Sequence, residues 1–166
     1  MPTWLTRRTG NLLGILACAG LLAYAYYVQF GVGLEPCPLC ILQRLAVVAV
    51  GLLFVLAFLH NPGNRGARVY GVLIDLAALA GIAVAARHIW IIAQPPGSVA
   101  ECGASLDYMM AVLPPHEVLA KVLTGSGECA KIDWTFLGLN MPTWVLMSLV
   151  VVGTWGLAVN WFGRRG

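Results

Sequence analysis

The sequence predicts an all-α integral membrane protein: a bundle of four transmembrane helices, with a long outer loop that carries a short interfacial helix. Three observations carry this expectation. The 166 residues are 60% hydrophobic and only 10% charged, whereas a soluble domain holds about a quarter charged residues. Four stretches are apolar and long enough to cross a hydrocarbon core, which takes about 20 residues at roughly 1.5 Å each. Basic residues collect in three regions without acidic neighbours: Arg7 and Arg8, Arg65 and Arg68, Arg164 and Arg165. Basic short loops stay cytoplasmic. Both termini are therefore expected in the cytoplasm, with the loops bearing Glu35, Glu101, Asp107, Glu117, Glu128 and Asp133 outside. The net charge of +3 reflects this topology and does not point to nucleic acid. The length fits a single membrane domain over residues 1–166.

The first span is expected near residues 11–31. Arg7 and Arg8 before it resemble the start of a cleaved signal, and Ile15-Leu16-Ala17-Cys18 loosely resembles a lipoprotein cleavage site. Signal cores are short and lead into polar mature sequence. Here the apolar run continues past Cys18 to Phe30, so the segment is expected to be retained. A short outer loop, 32–38, contains Gly33 and Pro36 and opens the Cys37-Pro38-Leu39-Cys40 motif. The second span is expected near 39–60, and its run from Ile41 to Leu59 is interrupted only by Gln43 and Arg44. Asn61-Pro62-Gly63-Asn64 is a turn by composition. The third span, 69–93, carries Asp75, Arg87 and His88, and ionisable groups inside a membrane tend to be functional.

The second outer loop, 94–141, is bracketed by Pro95-Pro96 and Pro142. Pro115 is suited to open a helix. Val118, Leu119, Val122 and Leu123 then form an apolar stripe opposite Glu117 and Lys121. The segment is too short to span. It either lies flat on the outer membrane surface or packs on the bundle. Trp134 and Phe136 suit an interfacial aromatic belt ahead of the last span, 142–162.

The five cysteines divide into two outer pairs, Cys37 with Cys40 and Cys102 with Cys129, plus Cys18 in mid-membrane. Cys18 is expected to pack as a small apolar side chain. An oxidising compartment preserves disulfides, and a tether across the long loop would explain Cys102 with Cys129 structurally. The same reasoning fails for Cys37 with Cys40, because closing so small a ring removes little chain entropy. A strained, exposed CxxC disulfide is instead the labile, oxidising kind. If the second helix begins near Pro38, Cys40 lies in its first turn, where the helix dipole favours a thiolate. Arg44 is one turn further on the same face, and its cation adds to that effect. Cys40 is thus the better stable thiolate and Cys37 the exchanging sulfur. Zinc is a competing use of four cysteines, but the second pair is not another CxxC and matches structural zinc sites poorly. No metal is expected. Haem attachment fails because Ile41, not histidine, follows Cys40.

Thiol–disulfide exchange only relocates a disulfide; making new ones needs a two-electron acceptor. No dinucleotide fingerprint is present, which leaves a lipid-soluble quinone. Arg44 lies roughly 6 Å below Cys40 along the second helix, and Arg87 and His88 lie roughly 9 Å below the outer end of the third. All three can share one layer, where cations and donors could hold a quinone carbonyl. Alternatively, Arg44 and Arg87 snorkel to the interface.

Glu35-Pro-Cys-Pro-Leu-Cys-Ile-Leu-Gln-Arg44, the outer Cys102, and the run from Glu128-Cys-Ala-Lys to Met141-Pro-Thr-Trp144 together resemble the DsbB family of bacterial inner-membrane disulfide bond formation proteins. The resemblance covers nearly the whole chain in motif order. It implies a four-helix bundle that reoxidises DsbA, the periplasmic thioredoxin-fold dithiol oxidase, and passes electrons to ubiquinone or menaquinone. By that match, Cys102 would form the mixed disulfide with DsbA, Cys129 would attack toward Cys37, and Cys40 would be released beside Arg44 as the thiolate that engages the quinone. His88 matches a family histidine loosely. Gln43 stands where some members carry an acidic residue, which bears on quinone preference. The alternatives are a quinone-reducing thiol enzyme like the vitamin K epoxide reductases, which place their CxxC in a different helix order, and a non-enzymatic, disulfide-stapled membrane assembly protein.

Overall fold

Local capping chemistry sets where each helix begins and ends. The computed structural model describes residues 6–95, 106–124, 127–130 and 134–164. Helix α1 (Arg7–Gly31) starts at Thr6, whose hydroxyl accepts from the Thr9 amide at 3.3 Å. Helix α2 (Pro38–His60) opens with a proline in its first turn, where the missing N–H removes no helical bond. It ends at Asn61 in the left-handed conformation, φ 38°, a region that asparagine tolerates. Helix α3 (Asn64–Ile92) follows directly after Gly63. Both α1 and α3 begin ahead of the apolar runs, because the arginines that flank those runs are good helix formers and extend the same hydrogen-bonded ladder.

Three short helices come next, α4 (Leu106–Val112), α5 (Pro115–Thr124) and α6 (Gly127–Ala130). A two-stranded hairpin, β1 (Thr135–Phe136) and β2 (Leu139–Asn140), then pairs Phe136 with Leu139. Its turn residues Leu137 and Gly138 have φ 52° and 78°, as a tight two-residue hairpin turn requires. Helix α7 (Met141–Phe162) is capped by Asn140, whose side chain accepts from the Thr143 amide at 3.2 Å.

The four long helices, α1, α2, α3 and α7, are each long and apolar enough to cross a membrane. They alternate in direction and close a ring in which α1 packs on α2, α2 on α3, α3 on α7 and α7 back on α1. The result is an all-α, four-helix membrane protein. One end of the bundle holds Cys37 and Cys40, the other Arg7, Arg65, Arg68 and Arg164; they are the cysteine end and the arginine end below. Outward-facing Leu16, Leu52, Leu76 and Val151 are all more than half exposed, an apolar surface that hydrocarbon rather than water would cover.

Inside, Phe54 of α2 is fully buried and packs with Cys18, Val50, Ile74, Leu149 and Val152. Cys18 therefore behaves as a small core side chain. Two glycines make room for the Phe54 ring. A Cβ on Gly14 of α1 would lie 2.5 Å from its Cε1, and one on Gly156 of α7 would lie 2.9 Å from its Cζ and 2.5 Å from Ile74 Cγ2. Small residues at such crossings let membrane helices approach closely.

The arginine end is fastened by polar contacts. Asn11 and Asn160, both buried, exchange two amide hydrogen bonds of 3.3 and 2.9 Å. Trp155 Nε1 donates to Gly10 O at 3.0 Å, and the Arg7 amide donates to Arg164 O at 2.9 Å. These bonds join the first and last helices. Asp75 turns toward α7, its carboxylate 3.4 Å from where a Cβ on Gly153 would sit.

Gly156→Val should drive a branched side chain into Phe54 and Ile74. A loss of about 1–3 kcal/mol in unfolding free energy, measured by denaturation in detergent, is expected, while the same change at lipid-facing Gly20, which has no neighbour within 4 Å of a built Cβ, should cost little.

Candidate active site

Cys37 has an extended backbone (φ −66°, ψ 163°) and N-caps α2, so Cys40 falls one turn later on the first coil of the helix. Cys37 Sγ donates to Cys40 Sγ at 3.2 Å, an arrangement that suits a thiolate on Cys40 at the positive end of the helix dipole. Cys37 and Cys40 are not joined by a disulfide bond in this structure.

A cavity of about 680 Å³ opens beside Cys40, between α1, α2, α7 and the hairpin. Leu21, Val28, Val47 and Val145 give it an apolar floor, and Tyr24, Trp134, Phe136 and Trp144 an aromatic rim. The rim is a connected chain of rings. Tyr24 meets Trp134 edge-on at 6.1 Å, Trp134 stacks on Phe136 at 6.1 Å, and Phe136 tilts onto Trp144 at 5.9 Å. Trp144 Nε1 donates to Phe136 O at 3.1 Å and holds the hairpin over α7. Trp134 and Phe136, expected only as an interfacial belt, thus also line the cavity.

Arg44 lines the same cavity as Cys40. Its guanidinium crosses to α1, donating to Gln29 Oε1 and, at 3.1 Å, to Ala25 O, with Tyr26 5.3 Å away from its Cζ. Arg44 is therefore tied to α1 at the wall of the cavity that Cys40 also lines.

His88 also reaches the cavity wall and is 3% exposed. Its Nε2 lies 3.0 Å from Cys129 O and 3.8 Å from Cys37 Sγ, and its Nδ1 lies 3.0 Å from Gln43 Nε2. A carbonyl can only accept, so Nε2 carries the proton in the first contact and Nδ1 of the neutral ring accepts from the Gln43 amide. Gln43 is itself buried, at 3% exposure. In the sequence Gln43 stands out only as an interruption of the second span and a point of family variation. Its signal was there, however: a polar residue one helical position before Arg44 in an otherwise apolar run needs a partner.

One cysteine of the second pair, Cys129, arrives from the long loop. Cys129, in α6, is 1% exposed and packs with Leu39, Ile91, Met109, Val118 and Val122. Val118 and Val122 dock α5 onto the mouth of the bundle, while Leu119 and Leu123 remain exposed beside them. Cys37 Sγ, His88 Nε2 and Cys129 Sγ all fall within 4.8 Å of one another. Cys102 lies outside the described residues.

Arg87, expected to be able to share one layer with His88, is not among the residues that line the cavity. Consecutive helical residues point about 100° apart, so Arg87 and His88 serve different surfaces. Arg87 Nε donates to Leu123 O at 2.9 Å and Nη2 to Thr124 O at 3.3 Å, with the guanidinium 4.2 Å from the Trp90 ring centroid. It caps the C-terminus of α5. Arg87→Ala should leave those carbonyls without their cation, and faster amide hydrogen exchange over residues 115–124 is the expected readout.

Comparison with known proteins agrees with this geometry. Residues 7–159 match the family model described as "Disulfide bond formation protein DsbB". The chain is 49% identical over 158 residues to a disulfide bond formation protein B of Methylococcus capsulatus, covering 95% of this chain and 96% of the relative. It is 50% identical over 160 residues to that of Xanthomonas campestris pv. campestris, covering 96% and 92%. For the Hahella chejuensis protein of the same name the identity is 47% over 159 residues, covering 95% and 96%. With a match over nearly the full chain, four membrane-type helices and a CxxC motif at the mouth of the bundle, the chain belongs to the DsbB family of disulfide bond formation proteins.

Proposed function

We propose that this chain is a quinone-dependent thiol:disulfide oxidoreductase of a bacterial inner membrane. It reoxidises a DsbA-type periplasmic thioredoxin-fold dithiol oxidase and passes the electrons to ubiquinone or menaquinone. The observation that carries this reading is the cavity beside Cys40. Its volume, about 680 Å³, lies within the range of roughly 300–1,000 Å³ usual for small-molecule sites. Its walls are aromatic and aliphatic, as a hydrophobic ring system requires. Its few polar groups include the Arg44 guanidinium, whose remaining N–H groups are donors suited to a carbonyl oxygen. A quinone bound there supplies a two-electron, two-proton sink, so the net reaction is partner dithiol plus quinone giving partner disulfide plus quinol.

The protein's own residues divide the work. A partner thiolate attacks Cys102, the Cys102–Cys129 bond breaks, and Cys129 leaves as a thiolate. Cys129 attacks Cys37, the Cys37–Cys40 bond breaks, and Cys40 leaves as a thiolate facing the cavity. The partner's second thiol then attacks the mixed disulfide and releases Cys102. His88 holds the Cys129 backbone against Cys37 for the middle exchange. Arg44 orients a carbonyl ligand and balances the Cys40 thiolate. In the proposed topology the arginine end faces the cytoplasm and the cysteine end the periplasm, following the segregation of Arg7, Arg8, Arg65 and Arg68 from the acidic loops.

Purified protein should reduce a soluble quinone only when given a reduced thioredoxin-fold dithiol. Cys40→Ser should oxidise up to one equivalent of partner through Cys102 and Cys129 while reducing no quinone; normal quinone turnover would defeat the electron path. Arg44→Met, which keeps the aliphatic stem, should raise the KM for quinone about 10- to 100-fold, the size expected for loss of a charge-assisted hydrogen bond. The KM for the protein partner should stay nearly unchanged in the same steady-state assay.

A further inference from the structure

We propose that Cys37, His88 and Cys129 form a binding site for a thiophilic divalent ion, Zn²⁺, whenever their thiols are reduced. Along the sequence the candidate ligands are scattered, and their spacing does not resemble a zinc motif. The fold removes that objection. The N-cap of α2, the body of α3 and helix α6 bring two sulfurs and one imidazole nitrogen within 4.8 Å of one another, the one such group among the described residues. Tetrahedral zinc, with bonds of about 2.3 Å to sulfur and 2.0–2.1 Å to nitrogen, needs ligand atoms roughly 3.5–3.8 Å apart. Cys37 Sγ and His88 Nε2 already stand at 3.8 Å, so only a small inward shift of the triangle is required. A set of two cysteines and one histidine, with the fourth position open to water, is an established zinc geometry.

The surroundings fit the ion as well as the ligands do. A metal-bound histidine donates its other ring N–H to an oxygen acceptor, which fixes the ring and strengthens the ligand. Here Nδ1 lies 3.0 Å from the side-chain amide of buried Gln43. Rotating that amide by half a turn presents its oxygen to Nδ1–H, and Nε2 is then released from Cys129 O to face the metal. The chemistry balances without electron transfer: two thiols and Zn²⁺ give a zinc dithiolate and two protons. Two features make the site conditional. A disulfide at Cys37 or Cys129 removes a ligand, so the ion binds only the fully reduced enzyme. That form accumulates when electrons cannot leave the protein. Zinc then sequesters the two sulfurs that must meet for exchange and acts as a reversible brake. The proposal rests on the three side chains and not on the quinone assignment, and metal binding is scored without quinone present.

The test uses the full-length protein in detergent, reduced and kept anaerobic, with Co²⁺ as the optical probe. One equivalent of Co²⁺ should bind with a thiolate-to-cobalt charge-transfer band that Zn²⁺ abolishes, and the oxidised protein should show no band. Cys129→Ser and Cys37→Ser should each weaken binding by about 100-fold or more, and Gln43→Leu by about 10- to 100-fold. Cys40→Ser and Cys102→Ser should retain it. Absence of the band in reduced wild-type protein would overturn the proposal. So would wild-type affinity in Cys129→Ser, or loss of binding in Cys40→Ser, which would mark a simple CxxC chelate.

Discussion

The site depends on one contact, the hydrogen bond of 3.0 Å between His88 Nε2 and the carbonyl of Cys129. It joins α3 to a four-residue helix in the long loop, and so holds Cys129 close to Cys37. Helix α6 is too short to be stable alone, and burial of Cys129 among Leu39, Ile91, Met109, Val118 and Val122 also anchors it. Apolar packing is non-directional. The histidine bond supplies the direction and brings Cys129 Sγ within 4.8 Å of Cys37 Sγ. Gln43 completes the device from beneath by fixing the ring through Nδ1.

A second layer of fixation serves the cavity. Arg44 is a residue of α2 whose guanidinium is bonded to α1 through Gln29 and Ala25. The same cation that stands near Cys40 is therefore part of the helix–helix contact, and its position is set before any ligand arrives. Preorganised donors in an apolar site need little rearrangement when charge develops beside them. The hairpin adds a polar fastening of its own, the Trp144 bond to Phe136 O, so both long walls of the cavity are pinned near its mouth.

Much of this was legible in the sequence, because its physics is local or periodic. Four apolar runs, segregated arginines, Pro38 in the first turn of α2 and the i, i+4 relation of Cys40 to Arg44 all follow from chain-local rules. What escaped was set by tertiary packing. Distance along α3 placed Arg87 and His88 in one layer, but helical rotation sent them to different surfaces, so Arg87 became a cap for α5. The stripe of α5 was divided similarly, with Val118 and Val122 buried and Leu119 and Leu123 exposed. Gln43, Asn11 and Asn160 look like isolated polar interruptions until the fold supplies their partners. The grouping of Cys37, His88 and Cys129 could not be read from spacing at all, since three separate elements contribute to it.

The buried Asn11–Asn160 pair has a mechanical consequence. It fastens α1 to α7 at the arginine end, whereas the cavity separates the same two helices at the cysteine end. The two helices form a pair of tongs with its hinge at the asparagines. From Asn11 to Val28 the lever arm is roughly 25 Å, so a tilt of about 5° would move the jaw by about 2 Å. A small tilt about this polar fastening would therefore change the width of the cavity while the contact at the arginine end stays closed.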